Sequence, residues 1–296
     1  MDVMEQAGAL EREIRLEQGF PVYVLGNGRV EVGVVPELGA KIVSLKNLRT
    51  GREWMWHPAG GLELFRNDPD DDFSASPLVG VDECLPTIAA CEWQKRKLTD
   101  HGEVWSKPWS VEHEAWQSGL LKTSVCLENS PFDFHRTIEL RENVIQLDYQ
   151  LHNRSVTEQQ FLWAMHPLVR LRAGDGLVLP ASTRALLNSE TWIDGADSAV
   201  PPGGCSKLYA GPLTEGSAGI RNRKTGEQLG FEWNPAENNT LGLWLNRGGW
   251  HGHEHLAIEP TNAGDDRLDQ AAARQRCGRL AGSGTATWQV RLRAGP

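Results

Sequence analysis

The sequence lacks the features of several large classes of protein. It has five cysteines among 296 residues, an odd number with no Cys-x-x-Cys pair, which argues against a disulfide framework or a structural zinc site. No apolar run approaches the roughly 20 residues that a membrane-spanning helix needs. Residues 1–6 lack the basic and then apolar pattern of a secretory signal. These absences predict a soluble, cytoplasmic protein with reduced thiols.

Positive charge and nucleotide-binding motifs are also scarce. The formal net charge is −9, which disfavours nucleic acid and anionic membranes as partners because both reward a basic face. The sequence contains no Gly-x-Ser-x-Gly elbow and no Gly-Lys-Ser/Thr of a P-loop. A neutral small molecule is therefore the expected ligand.

Tryptophan, by contrast, is abundant. Twelve Trp outnumber the seven Phe and three Tyr together. Indole rings pack against the C–H faces of sugars, and they also fill protein cores.

Short β-rich runs separated by turn residues follow Gly19 and predict an all-β fold. Residues 144–151 alternate, with Ile145, Leu147 and Tyr149 on one face and polar residues on the other, as in a half-buried antiparallel strand. We predict an N-terminal arm or short helix over residues 1–18 and a single domain over residues 19–296. The one helical candidate is 266–277, and two long loops are predicted at 60–81 and 188–216.

Two titratable residues end apolar runs directly before proline, namely His166 before Pro167 and Glu259 before Pro260. A residue before proline is biased to extended backbone, and proline interrupts the ladder of hydrogen bonds, so both side chains are expected at strand ends. A third segment with a histidine is Asp100-His101-Gly102.

Taken together, these segments resemble the aldose 1-epimerase (galactose mutarotase-like) superfamily over most of residues 22–293. The resemblance depends on the order and spacing of short motifs along the chain. These motifs are Gly39-Ala40 before a strand, His101-Gly102, His166-Pro167, Glu259-Pro260 and a closing Ser283-Gly284 turn.

The resemblance implies a large antiparallel β-sandwich, the galactose mutarotase-like supersandwich, and an isomerase that interconverts the α and β anomers of a free aldose. It implies that Glu259 is the general base, that His166 is the general acid and that His101 binds the sugar. Opening a hemiacetal needs an acid and a base with pKa values near neutrality, which an enclosed pocket can provide for these residue types. Neither a metal nor an organic cofactor is required, and the expected partner is a monosaccharide.

The sequence also departs from the pattern of the family. The best-known mutarotases carry an Asn-Arg pair before their first histidine, whereas this chain has Asp82-Glu83. These carboxylates either replace the missing contact with sugar hydroxyls or have a structural role. Trp105, four residues after His101, is a candidate for stacking on the sugar ring. The run from His251 to His255 suggests a metal site, but its spacing matches no common zinc signature, so no metal is predicted.

Two alternatives remain open at this stage. A hexose-6-phosphate 1-epimerase would need clustered cations in the pocket, for which Arg170, Arg172 and Arg267 are candidates. A non-catalytic carbohydrate-binding or sugar-sensing protein could use the same scaffold, because fold does not fix function.

Overall fold

The computed structural model describes residues 8–187 and 200–295. Its strands are, in chain order, β1 (Glu11–Glu17), β2 (Phe20–Gly26), β3 (Val30–Val35), β4 (Lys41–Asn47), β5 (Arg52–Glu53), β6 (Val81–Cys84), β7 (Cys91–Trp93), β8 (Arg96–Leu98), β9 (Ser110–Val111), β10 (Leu121–Cys126), β11 (Phe132–Arg141), β12 (Val144–Asn153), β13 (Gln159–Phe161), β14 (Ala164–Val169), β15 (Asp175–Val178), β16 (Cys205–Ala210), β17 (Ser217–Asn222), β18 (Gln228–Trp233), β19 (Thr240–Arg247), β20 (Glu254–Thr261), β21 (Gly278–Leu280) and β22 (Thr285–Gly295).

The strands form two large sheets. The ten-stranded sheet runs in the order β1-β2-β3-β4-β6-β14-β20-β19-β16, with β5 paired to β4. The eight-stranded sheet runs in the order β15-β17-β18-β22-β12-β11-β10-β9. The pairings between these strands are antiparallel. The predicted all-β, antiparallel sandwich is confirmed.

Alternation along the strands creates the main core between the two sheets. In β12, Ile145 and Leu147 face inward and are fully buried, as the sequence pattern predicts. They belong to one apolar cluster with Met165 and Ile258 of the ten-stranded sheet. Because neighbouring residues of a strand point to opposite faces, the residues on either side of Met165 and Ile258 face away from this core. That outer face of the ten-stranded sheet carries the candidate site.

The N-terminal segment differs from the prediction of an arm or short helix. Residues 11–17 form strand β1, which pairs along its whole length with β2. Gln18 and Gly19 both have positive φ and make the tight turn that folds β1 back onto β2. The strand was hard to recognise because most of its residues are exposed and its charged residues lack a clear period of two. Residues 1–7 of the predicted arm lie outside the described residues.

Helices are short and few in the part of the chain that the structure describes. They are α1 (His113–Gln117), α2 (Ala181–Leu186), α3 (Leu268–Ala273) and a 3₁₀ turn at Phe73–Ala75. The helix predicted at 266–277 is thus shorter, because the carbonyl of Asp266 accepts hydrogen bonds from the N–H groups of Ile88 and Ala89 instead of starting a helical turn. Of the predicted loop at 188–216, residues 188–199 lie outside the described residues and 205–210 form β16. No described helix has the length and apolar character needed to cross a bilayer.

Candidate active site

A row of side chains crosses the outer face of the ten-stranded sheet. Asp82 of β6 is paired in register with His166 of β14. On its other side β14 pairs with β20, with Ala164 opposite Thr261 and Leu168 opposite Ala257. This register places His166 opposite Glu259 of β20. The row continues through Gly242 of β19 to Tyr209 of β16. Strand register alone therefore brings together residues that are far apart in the sequence.

His166 and Glu259 meet at the centre of this row. Their closest atoms, Nε2 of His166 and Oε1 of Glu259, are 3.6 Å apart. Glu259 is fully buried, and His166 retains 7% of its accessible surface. The sequence therefore identified two residues that the fold places in contact.

Lys207 of β16 binds the other oxygen of Glu259. Its Nζ lies 2.6 Å from Oε2 of Glu259 and 3.0 Å from Oδ1 of Asp266. The hydroxyl of Tyr209 donates a hydrogen bond of 2.5 Å to the same Oδ1 of Asp266. Gly242 provides the space for this group, because a Cβ there would lie 3.0 Å from Oε2 of Glu259.

A cavity of about 190 Å³ opens above the row. Its polar wall consists of Asp100, His101, His166, Lys207, His255 and Asp266. Its apolar wall consists of Phe73, Ile88, Ala89, Leu168, Trp244 and Trp250. Glu259 lies directly behind the polar wall, in contact with both His166 and Lys207. The volume is below the roughly 300–1,000 Å³ of pockets that hold drug-sized ligands, so it suits a small molecule.

His101 reaches the cavity from a loop with unusual backbone geometry. His101 and Gly102 both have positive φ, and a Cβ at position 102 would collide with the carbonyl of Leu85, so only glycine fits there. The imidazole of His101 stacks on Phe73 with ring centroids 3.7 Å apart. Its Nδ1 is 3.0 Å from Oδ1 of Asp100. Its ring centroid is 5.0 Å from that of His166. The fold thus brings three of the predicted site residues, at 101, 166 and 259, to one place.

Burial disfavours the charged form of each residue of the central pair. Burial, together with the nearby His101 and Lys207, lowers the pKa of His166 well below its usual value. Burial also raises the pKa of Glu259, although Lys207 opposes this effect. Burial therefore favours a neutral imidazole at His166 and a protonated carboxyl at Glu259, and Lys207 is the neighbouring charge that favours the ionised carboxylate.

Lys207 and Asp266 are both held in their charged forms. Burial favours a neutral Lys207, but Glu259 and Asp266 outweigh it and raise the pKa of Lys207. Burial likewise opposes ionisation of Asp266, but Lys207 and Tyr209 lower its pKa. Lys207 is therefore an ammonium ion and Asp266 a carboxylate.

Glu83 is not among the residues that line the cavity, so its position does not support the predicted role in sugar binding. It follows Asp82 in β6, so its side chain points to the opposite face of the sheet and into the core. Arg136 and Tyr149 each donate a hydrogen bond of 2.9 Å to Oε1, and the indole of Trp163 donates one of 2.9 Å to Oε2. Glu83 is a fully bonded structural carboxylate.

The side chain of Asp82 is on the same face of the sheet as that of His166, but it is buried and forms an ion pair with Lys41. Its Oδ1 is 3.1 Å from Nζ of Lys41, and both side chains are buried. Burial raises the pKa of Asp82, and Lys41 opposes that rise. Because Asp82 is buried and is not among the cavity-lining residues, the predicted direct contact with sugar is not supported by its position.

Trp105 is also buried beneath the site instead of lining it. Its indole N–H donates a hydrogen bond of 2.8 Å to the carbonyl of Asp100, and its ring packs edge-on against Phe73. The predicted stacking on a sugar ring is therefore not supported by the position of Trp105. The indoles that do line the cavity are Trp244 and Trp250.

Only one member of the His251–His255 run belongs to the cavity wall. Burial and His253 lower the pKa of His255 to about 3, so its imidazole is neutral. The indole N–H of Trp244 donates a hydrogen bond of 3.3 Å to Nε2 of His255. Within residues 8–187 and 200–295, no group of three or more His, Cys, Asp or Glu is arranged to hold a metal ion.

Comparison with solved structures identifies the architecture. A candidate aldose 1-epimerase from Klebsiella pneumoniae superposes with a TM-score of 0.71 at 12% identity, covering 98% of this chain and 84% of that chain. A galactose mutarotase-like protein from Clostridium acetobutylicum gives a TM-score of 0.68 at 13% identity, covering 98% and 99% of the two chains. The chain has the galactose mutarotase-like fold. A scan against protein-family models found no match, and a search of curated proteins found none either.

A galactose mutarotase related enzyme from Lactobacillus acidophilus agrees with this result, with a TM-score of 0.65 at 13% identity over 93% of this chain and 97% of that chain.

Within this galactose mutarotase-like fold, the sequence analysis missed Lys207 and Asp266. Neither residue has a local signal: Lys207 stands in a weakly patterned strand, and Asp266 was assigned to a helix. The alternation of β6 was a usable signal that Asp82 and Glu83 cannot share a face.

Proposed function

We propose that this protein is an aldose 1-epimerase-like isomerase that interconverts the anomers of a neutral free monosaccharide. The observation that carries the proposal is the contact between His166 and Glu259 at the base of a small cavity. The two side chains differ in chemistry, approach within 3.6 Å and lie beside a space of monosaccharide size.

The reaction needs one proton to leave the sugar and one to enter it. Glu259 accepts the proton of the anomeric O1–H while the C1–O5 bond breaks, C1 and O1 become an aldehyde, and His166 gives a proton to O5. Rotation about the C1–C2 bond exposes the other face of the aldehyde. Return of both protons closes the ring as the other anomer. Because O1 and O5 are bonded to the same carbon, an acid and a base a few ångströms apart can reach both atoms.

The effect of burial on the two pKa values supports one of the two protonation states that this assignment needs. The open-chain intermediate corresponds to a protonated Glu259 and a neutral His166, which burial favours for each residue. The starting state has the opposite protonation, with Lys207 stabilising the carboxylate. A reversible proton transfer needs both protonation states, and Lys207 is the group in the site that opposes the effect of burial on Glu259.

The charge of the cavity favours a neutral sugar over a phosphorylated one. Among the described residues that line it, the one permanent cation is Lys207, which Glu259 and Asp266 already neutralise. Arg170 lines a separate cavity, and Arg267 is paired with Asp269. Arg172, like Arg170 and Arg267, is not among the residues that line the cavity, so none of these candidates offers a phosphate group a contact there.

One observation supports the non-catalytic alternative of a carbohydrate-binding protein. Glu259 has no exposed surface in this conformation, so a sugar must displace the surrounding side chains slightly before O1 can reach it. A binding protein would need no such contact. Measuring turnover separates the two functions.

The test is the rate of anomerisation of freshly dissolved α-glucose, α-galactose and other aldoses, followed by polarimetry. Enzymatic amounts of the wild-type chain should accelerate equilibration, and Glu259→Gln should lower the rate at least about 10²-fold while sugar binding stays measurable. Absence of acceleration for every aldose, with binding retained, would establish the binding protein instead. Near-normal activity of Glu259→Gln would show that another residue is the base.

A further inference from the structure

We propose that Lys207 is a positioning residue for Glu259, which it keeps ionised and orients so that Oε1 alone is available to the sugar. This inference rests on the proposed function, because it assigns Glu259 the role of base. It adds a cation to the site that neither the sequence motifs nor the comparisons indicate.

The first argument is that the two oxygens of Glu259 have different surroundings. Oε2 receives the ammonium of Lys207 at 2.6 Å. Oε1 is buried and has no hydrogen-bond partner among the described residues, although Nε2 of His166 lies 3.6 Å away. A buried carboxylate oxygen without a donor is costly. Oε1 therefore has lone pairs that are free to accept a hydrogen bond, and it lies next to His166, the proposed proton donor.

The second argument is that Lys207 is itself held in place. Asp266 lies 3.0 Å from its Nζ, and Tyr209 holds Asp266 through a hydrogen bond of 2.5 Å. A lysine side chain has several freely rotating bonds, and fixing its ammonium between two carboxylates removes that freedom. Tyr209 and Asp266 thus fix Lys207, which in turn fixes Glu259.

The third argument is electrostatic. Glu259 is fully buried, and burial penalises its ionised form. The charged or titratable groups that act on it are Lys207 and Tyr209 of β16, His166 of β14, Asp266, His101 and Cys84. Among these, Lys207 makes the shortest ion pair, while Asp266 opposes ionisation. Without Lys207, Glu259 would lose its main source of stabilisation as an anion.

Lys207 does not serve as a nucleophile in this arrangement. An amine attacks the open-chain aldehyde only when it is deprotonated. The two carboxylates raise the pKa of Lys207 and keep it protonated. A positioning role is consistent with that charge state.

The test compares Lys207→Met with the charge-preserving Lys207→Arg and the exposed control Lys122→Met. Two readouts are measured for each chain: the pH dependence of anomerisation, and the ¹³C NMR titration of the Glu259 carboxyl carbon, assigned by its loss in Glu259→Gln. In Lys207→Met we expect the acid limb of the rate profile and the NMR midpoint to rise together by about 1–3 pH units, since an opposite charge at this distance shifts a pKa by that amount. The rate at neutral pH should fall at least about tenfold, with partial recovery at high pH.

Lys207→Arg should leave the acid limb in place, and Lys122→Met should match the wild type in both readouts. An unchanged acid limb and NMR midpoint in Lys207→Met would overturn the inference. If Lys207→Met does not fold, Lys207→Gln removes the same charge and is held to the same criterion. A wild-type chain without activity would refute the proposed function, whereas the NMR titration would still decide whether Lys207 controls ionisation of Glu259.

Discussion

Two glutamates on opposite faces of the same sheet show how burial can have different purposes. Glu83 and Glu259 are both fully buried, and each contacts a cation, the buried Arg136 for Glu83 and the half-buried Lys207 for Glu259. Both oxygens of Glu83 accept hydrogen bonds from core side chains. Glu259 has one oxygen bound by Lys207 and the other without a donor among the described residues.

The difference indicates which carboxylate can react. A buried carboxylate with both oxygens hydrogen-bonded to core side chains stabilises the fold and has no unpartnered oxygen for a substrate. A buried carboxylate oxygen without a hydrogen-bond donor is energetically unfavourable, and a substrate hydroxyl can supply the missing donor. Glu259 has such an oxygen, beside His166 and the cavity. Burial alone did not distinguish the two, whereas the hydrogen-bond partners did.

The largest expected effect comes from exchanging the two glutamates for glutamine, one at a time. Glu83→Gln leaves Arg136 without its counter-charge in the core, and breaking a buried pair in this way costs about 3–5 kcal/mol. We expect the free energy of unfolding in urea to fall by that amount, while the folded fraction keeps its anomerisation rate within about twofold. Glu259→Gln should show the reverse, with a large loss of rate. Equal effects of the two substitutions on rate would break the comparison.

A smaller effect is expected at Gly242, which makes room for Glu259. A Cβ at this position would lie 3.0 Å from Oε2 of Glu259 and 3.2 Å from the ring of Tyr209. Gly242→Ala should therefore displace the carboxylate and lower the rate about tenfold, with a stability cost of about 1–3 kcal/mol from overpacking. The matched control is Gly230→Ala in β18, where the nearest atom to a new Cβ is 4.0 Å away. Its rate should equal that of the wild type.

The smallest effect is expected at Trp105. Trp105→Phe removes the hydrogen bond to the carbonyl of Asp100, which costs about 1 kcal/mol of stability. Because Trp105 lies under the cavity floor and not in its wall, KM for the sugar should change by less than about twofold. A tenfold rise in KM with unchanged stability would restore Trp105 as a stacking residue and contradict its placement here.

Local patterns were sufficient to find His166 and Glu259, the proposed acid and base, but not their surroundings. His166 and Glu259 each end an apolar run before a proline, and that signal survives in a single segment of sequence. Lys207 contacts Glu259 only because β16 pairs with β19, and β19 with β20. Such pairings are long-range, so no short window of sequence contains them.

The degree of burial explains both why the fold was predictable and why the edge strand β1 was not. Central strands such as β12 are buried on one face and therefore alternate clearly between apolar and polar residues. Strand β1 lies at the edge of its sheet and is largely exposed, so burial imposes little pattern on its sequence. Its partner strand β2, not its own composition, makes it a strand.

The transverse row from Asp82 to Tyr209 makes the candidate site a stringent reporter of correct folding. Each residue of the row comes from a different strand, and a slip of one residue in any of those strands would turn its side chain to the opposite face. The chain must therefore complete several distant strand pairings before the candidate site is assembled. Recovery of activity after dilution from denaturant should coincide with formation of the last of these pairings, later than the recovery of overall β-structure.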